Sequence, residues 1–269
     1  MTAIADACVE CIEARGCPME FVGRGALRVF RHAGGLALVA VRLVARLPRL
    51  DRQECVRALH DFGNASVPVV LATAGFTGVI MVLQGALYVQ RFGVYDLVGW
   101  YTGFATFREI GPVLVALMFS GRVGASHTSE VATMRVNDQL AALEIMAIDV
   151  YAVLLTPRSV AMVISSVVLL IAGNAFAVVS GSVAAKLLLD LDFDAFARSL
   201  ISGLDAADFL LGVQKAFVFG CLIAVVSTYA ALRAKRGAMG VGAAVNAQVV
   251  ACAVAIFAAD YVMTSAGSH

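Results

Sequence analysis

Five long runs of apolar residues constrain this chain more than any other feature of its sequence. Hydrophobic residues make up 61% of the chain and charged residues only 14%, whereas soluble globular domains contain about 45–50% apolar and about 25% charged residues. A helix needs roughly 20 consecutive apolar residues to cross the hydrocarbon core of a bilayer. The sequence therefore predicts an all-α integral membrane protein rather than one or two soluble domains.

The apolar runs predict five transmembrane helices separated by short loops. We place these spans at residues 67–88, 106–134, 160–189, 209–232 and 241–263. Glycines recur within the runs, and glycine lets membrane helices approach one another closely. Residues 61–269 are therefore predicted to form a single transmembrane domain.

The region before the first span is rich in arginine. Between residues 21 and 60, arginines recur every few positions among Leu, Val, Ala and Phe. So many arginines inside a span would be costly, but arginine stems can extend along an apolar surface to lipid headgroups. We therefore predict an interfacial amphipathic helix over residues 21–60, broken near Pro48. Residues 1–20 are predicted to be a cytoplasmic tail, without the pattern of a cleaved signal peptide.

The distribution of charged residues between the loops predicts an orientation in the membrane. The N-terminal region, the 135–158 loop and the 233–236 loop carry the Lys and Arg residues, whereas the 190–208 loop carries several aspartates. Basic loops stay on the cytoplasmic side. With five spans, the N-terminus is then cytoplasmic and the C-terminus lies on the opposite side.

Cysteine usage and missing motifs argue against an enzyme. Cys8, Cys11 and Cys17 have C-x2-C-x5-C spacing, which leaves open a structural zinc site or a reduced tail without metal. The absence of a second CxxC or a histidine pair favours the tail without metal. No phosphate-binding loop or catalytic Ser/His/Asp set is present. The glycines at 237–242 have G-x-x-G-x-G spacing, which suits a tight helix start better than a dinucleotide site. We expect no catalytic residues, cofactor, metal or nucleic-acid partner.

The second span carries the densest set of polar residues at membrane depth. It opens with Arg108 and Glu109 and continues through Ser120 to His127. On a helix with 100° per residue, Glu109, Ser120 and His127 lie within about 20° of one direction. Two interpretations of Arg108 and Glu109 remain open. They are solvated at the outer interface, or they line a polar part of a transport path.

Other ionisable residues within the spans need partners. Lys215 in the fourth span lies at a level similar to that of Glu109, and an ion pair between them is favoured over extension of Lys215 to headgroups. Arg122 and Glu130 are too far apart on one helix to pair, so we expect structural contacts with neighbouring helices. A hydrogen bond is the default expectation for His127, with a metal or proton-relay role as the alternative.

The loop between the second and third spans contains a short amphipathic pattern. Residues 137–149 predict a helix in which Asn137 is the N-cap and Leu140 and Leu143 form an apolar face, with Glu144 on the polar side. The alternatives are an ordinary connecting helix and a contact for a motor subunit.

The second span and the loop after it resemble the core signature of the MlaE/YrbE permease family. The matching pieces are Arg-Glu-Ile-Gly-Pro at 108–112, Gly-Arg-Val-Gly at 121–124, Glu130, Met-Arg at 134–135, Gln139, Ala-Leu-Glu at 142–144 and Pro-Arg at 157–158. Leu-Gln-Gly at 83–85 and the glycines at 237–242 are also similar. The resemblance covers roughly residues 60–266. The sequence departs from the family pattern at His127-Thr128 and at Met239.

The resemblance implies the permease subunit of an ABC transporter. It implies a homodimer in the inner membrane with one cytoplasmic ATPase per copy, a periplasmic MCE-domain partner, often a STAS-domain protein, and phospholipids or related lipids as cargo. Polar residues near the lipid path map onto Arg108, Glu109 and Lys215, and apolar lining maps onto Leu83 and Leu87. The helix that docks into the ATPase maps onto Asn137, Gln139, Leu140, Leu143 and Glu144. The alternative function is a stand-alone ion-coupled transporter or channel that uses Glu109, His127 and Lys215.

Overall fold

The computed structural model describes residues 18–49, 52–92 and 97–266, and in these stretches the chain is almost entirely helical with no strand. The helices are α1 (Pro18–Arg46), α2 (Arg52–Phe92), α3 (Leu97–Phe104), α4 (Gly111–Phe119), α5 (Ala125–Val136), α6 (Gln139–Ile145), α7 (Thr156–Leu189), α8 (Phe193–Gly203), α9 (Ala206–Leu232) and α10 (Ala238–Ala266). The predicted all-α class is confirmed. The cysteine cluster at residues 8–17 lies outside the described residues.

Five helical stretches of the described chain are long and apolar enough to cross a membrane, as predicted. They are Ser66–Leu87, Gly99–Val136, Tyr151–Leu189, Ala207–Leu232 and Ala238–Ala266, hereafter spans one to five. Spans two and three begin earlier than the sequence predicted. The reason is that the helices also include the apolar segments Leu97–Phe104 and Tyr151–Leu155, the second of which is π-helical.

Span two contains two π-helical segments between its α-helical parts. They cover Ala105–Ile110 and Ser120–Gly124. A π-helical turn accommodates extra residues and commonly marks a functional position in a helix. The first segment contains Arg108 and Glu109, and the second contains Arg122. Arg108, Glu109 and Arg122 therefore lie in irregular parts of the backbone, whereas His127 and Glu130 lie in the regular helix α5.

Spans one and three form the most extensive helix pair. A Cβ atom on Gly78 would overlap the carbonyl oxygen of Ala177, so the close approach of the two backbones requires glycine at this position. Ser180 strengthens the contact by donating a hydrogen bond to the carbonyl oxygen of Gly75, at 2.9 Å. Span four packs against spans three and five. The main hydrophobic core is shared by spans one to five, with Phe119, Met162 and Phe219 completely buried within it.

The N-terminal region, predicted as an amphipathic helix over residues 21–60 that is broken near Pro48, consists of two helices. Helix α1 ends at Arg46, and the turn Leu47–Arg49 follows it at the predicted break. Residues from Arg52 onward belong to α2, which continues without interruption into span one. The reason is that Pro48 interrupts the first helix, whereas Pro68 is tolerated inside the second.

Helix α1 contacts the rest of the protein through Val39 and Leu43, which are buried in a shared core, and through two arginines. Arg46 pairs with Asp149 at 2.6 Å, and the guanidinium of Arg42 lies over the ring of Tyr151. Its other side exposes the apolar side chains Leu38, Val41, Val44 and Leu47. An exposed apolar face is what a helix lying in the membrane interface would bury in lipid.

Candidate functional site

A charged cluster lies where the beginning of span two meets spans four and five. Lys215 is at its centre and is completely inaccessible to solvent. Its ammonium group donates to the carbonyl oxygen of Arg108 at 3.0 Å, to Glu109 at 2.9 Å and to the hydroxyl of Thr264 at 2.8 Å. These bonds use all three ammonium hydrogens. Asp260 also lies 2.8 Å from the ammonium group, as a charge contact without hydrogen-bond geometry.

Arg108 extends the cluster towards the first turn of span four. Its guanidinium donates to Asp208 at 2.9 Å, lies 3.8 Å from Glu109 and stacks on the ring of Phe104. The side chains of Arg108 and Glu109 are 21% and 33% exposed. These two residues are therefore the members of the cluster that a ligand can reach most easily. We call the set Arg108, Glu109, Asp208, Lys215, Asp260 and Thr264 the far-end cluster.

The backbone brings these side chains together through one close helix contact. A Cβ atom on Gly212 would overlap the carbonyl oxygen of Phe107, so glycine allows span four to lie directly against the π-helical segment of span two. Lys215 follows one turn later on span four and therefore faces Glu109. Thr264 and Asp260 lie one turn apart on span five, and both face the ammonium group from the other side.

The predicted ion pair between Glu109 and Lys215 is confirmed. The sequence interpretation missed Asp208, Asp260 and Thr264. The sequence did contain a signal for Asp260. It is the single charged residue of span five, and an ionisable residue in a span usually has a partner. Asp208 was assigned to a solvated loop, although it lies in the first turn of span four.

Span one presents an exposed apolar stripe towards its end. Phe76, Ile80, Leu83 and Leu87 are all exposed and recur at helical spacing, with exposed fractions of 45% for Leu83 and 62% for Leu87. Span one ends at Leu87 and span two begins at Gly99, so the end of span one and the beginning of span two lie on the same side of the bundle. Leu87 and the far-end cluster therefore lie at the same end of the bundle.

Ser120 and His127 of span two face spans five and four, respectively. Ser120 accepts a hydrogen bond from Gln248 at 3.3 Å. His127 is fully buried, its Nε2 atom lies 3.3 Å from the hydroxyl of Thr228, and its ring packs edge-on against Phe62. The predicted hydrogen bond of His127 is therefore confirmed. No group of three His, Cys, Asp or Glu side chains arranged to hold a metal occurs in the described part of the chain.

A second charged cluster lies at the opposite end of span two. Arg158 donates to Glu130 at 2.7 Å and lies 3.7 Å from Glu54, and we call these three residues the near-end cluster. This confirms that Glu130 has a partner on a neighbouring helix. Arg122 differs, because it forms no ion pair with any residue in the described stretches. It lines an open pocket of about 240 Å³ together with Asp61 and Glu130.

The segment after span two forms a shorter helix than predicted. Helix α6 begins at Gln139, and its N-cap is Asp138 in a left-handed conformation with φ of 55°, so the predicted cap at Asn137 is wrong. Leu140 is buried and Leu143 is half-buried, in a core that includes Val131. The predicted apolar face therefore packs against the protein itself.

The surface of this segment presents different residues. Asn137, Gln139 and Glu144 are exposed, and the largest exposed apolar side chains are Ile145, 86% exposed, and Met146, 61% exposed. Next to them, a cavity of about 420 Å³ separates α6 from the end of span four and is lined by Asp138, Glu144, Arg135 and Arg236, among others. Exposed apolar side chains beside a charged cavity are typical of a protein-binding surface.

Comparison with known proteins identifies the family. The sequence model described as permease MlaE matches residues 55–266. A probable ABC transporter permease protein of Rickettsia felis is 33% identical over 245 residues, which cover 90% of this chain and 95% of the relative. A probable ABC transporter permease protein of Synechocystis is 29% identical over 80% of this chain and 82% of the relative.

A plant protein is also similar. The chloroplast protein TRIGALACTOSYLDIACYLGLYCEROL 1 of Arabidopsis thaliana is 26% identical over 250 residues, which cover 92% of this chain and 69% of the relative. The family match covers the whole far-end cluster, the near-end cluster except Glu54, and span five to its last turn. The chain therefore belongs to the MlaE permease family of ABC transporters.

Proposed function

We propose that this permease moves phospholipids or related lipids between the inner membrane and a periplasmic MCE-domain carrier. In this proposal two copies form a homodimer, each copy binds one cytoplasmic ATPase, and a STAS-domain protein joins the ATPase. ATP is hydrolysed on the ATPase subunit, not on this chain. The N-terminus is cytoplasmic and the C-terminus is periplasmic, as the basic loops favour.

One observation carries the proposal: an exposed apolar stripe and a charged cluster lie at the same end of the bundle. Lipids are amphiphilic, so a lipid path needs an apolar wall for the acyl chains and polar groups for the headgroup. Leu83 and Leu87 supply the wall, and Arg108 and Glu109 supply the polar groups. The Arabidopsis relative is named after a diacylglycerol lipid, and this name also favours a lipid cargo.

The burial of Lys215 changes the role assigned to it. An inaccessible ammonium group with three hydrogen bonds has no donor left for a headgroup. Lys215 is therefore a positioning residue, which fixes Glu109 and the backbone of Arg108. Arg108 and Glu109 are the residues that we expect to contact the lipid.

The charge of the far-end cluster restricts the headgroups that it favours. With every group ionised, the cluster contains two cations and three carboxylates, and so one excess negative charge: Arg108 and Lys215 against Glu109, Asp208 and Asp260. Like charges at short distance repel, more strongly where the effective dielectric constant is low. We therefore expect zwitterionic or neutral headgroups to be favoured over headgroups that add a net negative charge.

The docking surface for the ATPase is expected at the end of α6. Its exposed apolar residues, Ile145 and Met146, lie beside the charged cavity, and they are followed by Asp149, which pairs with Arg46 of α1. A movement of α6 that is imposed by the ATPase would therefore pull on both span three and α1. Asn137, Gln139 and Glu144 form the polar part of this surface.

Affinity purification of the tagged permease from native membranes in mild detergent tests the function. Mass spectrometry of proteins and lipids should identify an ABC ATPase, an MCE-domain protein and an enriched lipid class. Recovery of the permease alone, with lipids in the proportions of the bulk membrane, would instead support the ion-coupled transporter that uses Glu109, His127 and Lys215.

Ile145→Asp tests the docking surface in the same experiment. A carboxylate at an apolar contact should lower recovery of the ATPase at least about tenfold, which corresponds to about 1.4 kcal/mol of binding free energy. Because Ile145 is 86% exposed, the melting temperature of the purified permease should remain that of the wild type.

Ile201→Asp is the matched control for this variant. Ile201 is 75% exposed and lies on α8, at the opposite end of the bundle. This variant should recover the ATPase normally. Equal recovery of the ATPase by Ile145→Asp and by the wild type would exclude α6 as the docking surface without contradicting lipid transport.

A further inference from the structure

We propose that the groove between α1, span three and span four binds one acyl chain of a glycerophospholipid from the leaflet that contacts α1. This site is separate from the lipid path proposed above. It is distinct from the far-end cluster and from the stripe on span one, because none of its lining residues belongs to either.

The groove has the size and chemistry of an acyl-chain site. Its volume is about 480 Å³, within the range of roughly 300–1,000 Å³ that is typical of ligand pockets. Leu43 and Val44 of α1, Val163 and Ile164 of span three, and Phe217 and Cys221 of span four line it. Thr156 and Ser159 are its only polar lining residues, and the hydroxyl of Ser159 already donates to the carbonyl oxygen of Leu155. An aqueous ligand would find almost no hydrogen-bond partner.

The groove is about 12 Å long on each of the two spans. Its lining runs from Thr156, at the start of α7, to Ile164, which is about 12 Å further along at 1.5 Å per residue. On the facing helix it runs from Val225 to Phe217, again about 12 Å. Half of the roughly 30 Å hydrocarbon core is about 15 Å. The groove is therefore long enough to hold most of one acyl chain of a single leaflet.

Helix α1 distinguishes this groove from an ordinary lipid-facing surface. Ala40, Leu43, Val44 and Leu47 close one side of it, while Val41 and Val44 remain exposed to the surrounding lipid. A chain in the groove is thus enclosed by three helices. It should exchange more slowly than lipid that touches only the outer surface of span three.

The hydroxyl of Thr156 supplies a second, independent indication. Thr156 is 1% exposed, and its Oγ1 atom has no hydrogen-bond partner among the described residues. A buried polar group without a partner is costly. Thr156 lies five residues after the start of span three and lines one end of the groove, so an ester carbonyl of the bound lipid can accept a hydrogen bond from it.

Photo-crosslinking tests the site without ATP, partner subunits or transport. The purified full-length permease is reconstituted with a phosphatidylcholine that carries a diazirine in one acyl chain, and crosslinked peptides are mapped by mass spectrometry. We expect crosslinks at residues 156–164 and 217–225 to be at least five times as frequent as those at Val168 and Ile171, which are exposed on span three outside the groove. Equal frequencies would overturn the proposal, because they would indicate surface lipid only.

A substitution on α1 provides the matched comparison. Ala40→Trp fills the groove from α1 and should reduce the groove crosslinks at least fivefold. Ala45→Trp is on the same helix, where Ala45 is exposed and does not line the groove, and should leave them unchanged. If both variants retain the crosslinks, the groove is not the site. If Ala40→Trp does not fold, the wild-type ratio decides alone. A failure of the lipid-transport proposal would change neither measurement.

Discussion

The two charged clusters at the ends of span two are constructed differently. In the far-end cluster, Lys215 is completely buried and is held by a carboxylate, a hydroxyl and a backbone carbonyl. In the near-end cluster, Arg158 contacts Glu54 and Glu130, and the side chain of Glu130 is 52% exposed. The first cluster joins three spans around a cation without access to solvent, whereas both members of the Arg158–Glu130 pair reach solvent, with side chains 19% and 52% exposed.

This difference indicates which end of the bundle is fixed. Removing one partner from a buried ion pair costs about 3–5 kcal/mol, because a charge remains buried without compensation. An exposed ion pair contributes about 0–1 kcal/mol. The far-end cluster should therefore hold spans two, four and five in one arrangement. The near-end cluster can break and re-form cheaply where α6 would transmit movement.

Lys215→Met should have the largest effect on stability. It leaves the carboxylate of Asp260 without a cation and that of Glu109 with only Arg108, 3.8 Å away, so we expect a loss of about 3–5 kcal/mol. The measurement is the thermal midpoint of the helical circular dichroism signal in detergent, together with the yield of monodisperse protein. A midpoint equal to that of the wild type would show that the cluster does not hold the spans together.

A variant without charges at the centre of the cluster tests why Lys215→Met loses stability. The cause is either the unbalanced carboxylates or the lost packing of the lysine side chain. The triple variant Lys215→Met, Glu109→Gln, Asp260→Asn contains no unpaired charge at the centre of the cluster, so it should recover most of the lost thermal midpoint. Replacing a buried ion pair by neutral groups of similar volume is often nearly neutral for stability. If the triple variant is as unstable as Lys215→Met, then packing of the lysine stem, not its charge, accounts for the loss.

Asp260→Asn should have an intermediate effect. Lys215 keeps all three hydrogen bonds, because Asp260 contacts it without hydrogen-bond geometry. The change also balances the cluster at two cations and two carboxylates. We expect a loss of about 1–2 kcal/mol, smaller than a full buried-pair penalty, in the same thermal measurement. A loss as large as that of Lys215→Met would mean that Asp260 is the principal partner of the lysine.

The sequence predicted the fold and the centre of the far-end cluster for identifiable reasons. Apolar runs are long in every span, so composition alone predicts the number of spans, although spans two and three begin earlier than predicted. The pairing of Glu109 with Lys215 followed from their similar depth. The depth of a residue in the membrane, however, does not reveal how its helix is rotated about its own axis. The two π-helical segments of span two shift the phase of the helix, and no residue type marks them in the sequence.

The same limit explains the error at α6. Periodicity identified Leu140 and Leu143 as an apolar face, but it did not reveal whether that face contacts this protein or another one. Leu140 packs against Val131 and Ala132 in the protein's own core. The exposed apolar residues, Ile145 and Met146, follow at the end of the short helix, where periodic patterns carry little information.

Glu130→Gln should have the smallest effect, and this sharpens the contrast between the two ends. Arg158 keeps its contact with Glu54, and the lost pair is half exposed, so we expect a change in stability of no more than about 1 kcal/mol. Raising the salt concentration should reduce even this difference, because mobile ions screen charges that solvent reaches. The difference in thermal midpoint between Glu130→Gln and the wild type, measured at low and high salt, checks both statements.

A loss of several kcal/mol that salt does not change would mean that a further element, absent from the single protomer, covers the near-end cluster. The two ends of span two would then be equally rigid, and movement of α6 would have to be transmitted through α1 and the Arg46–Asp149 pair instead.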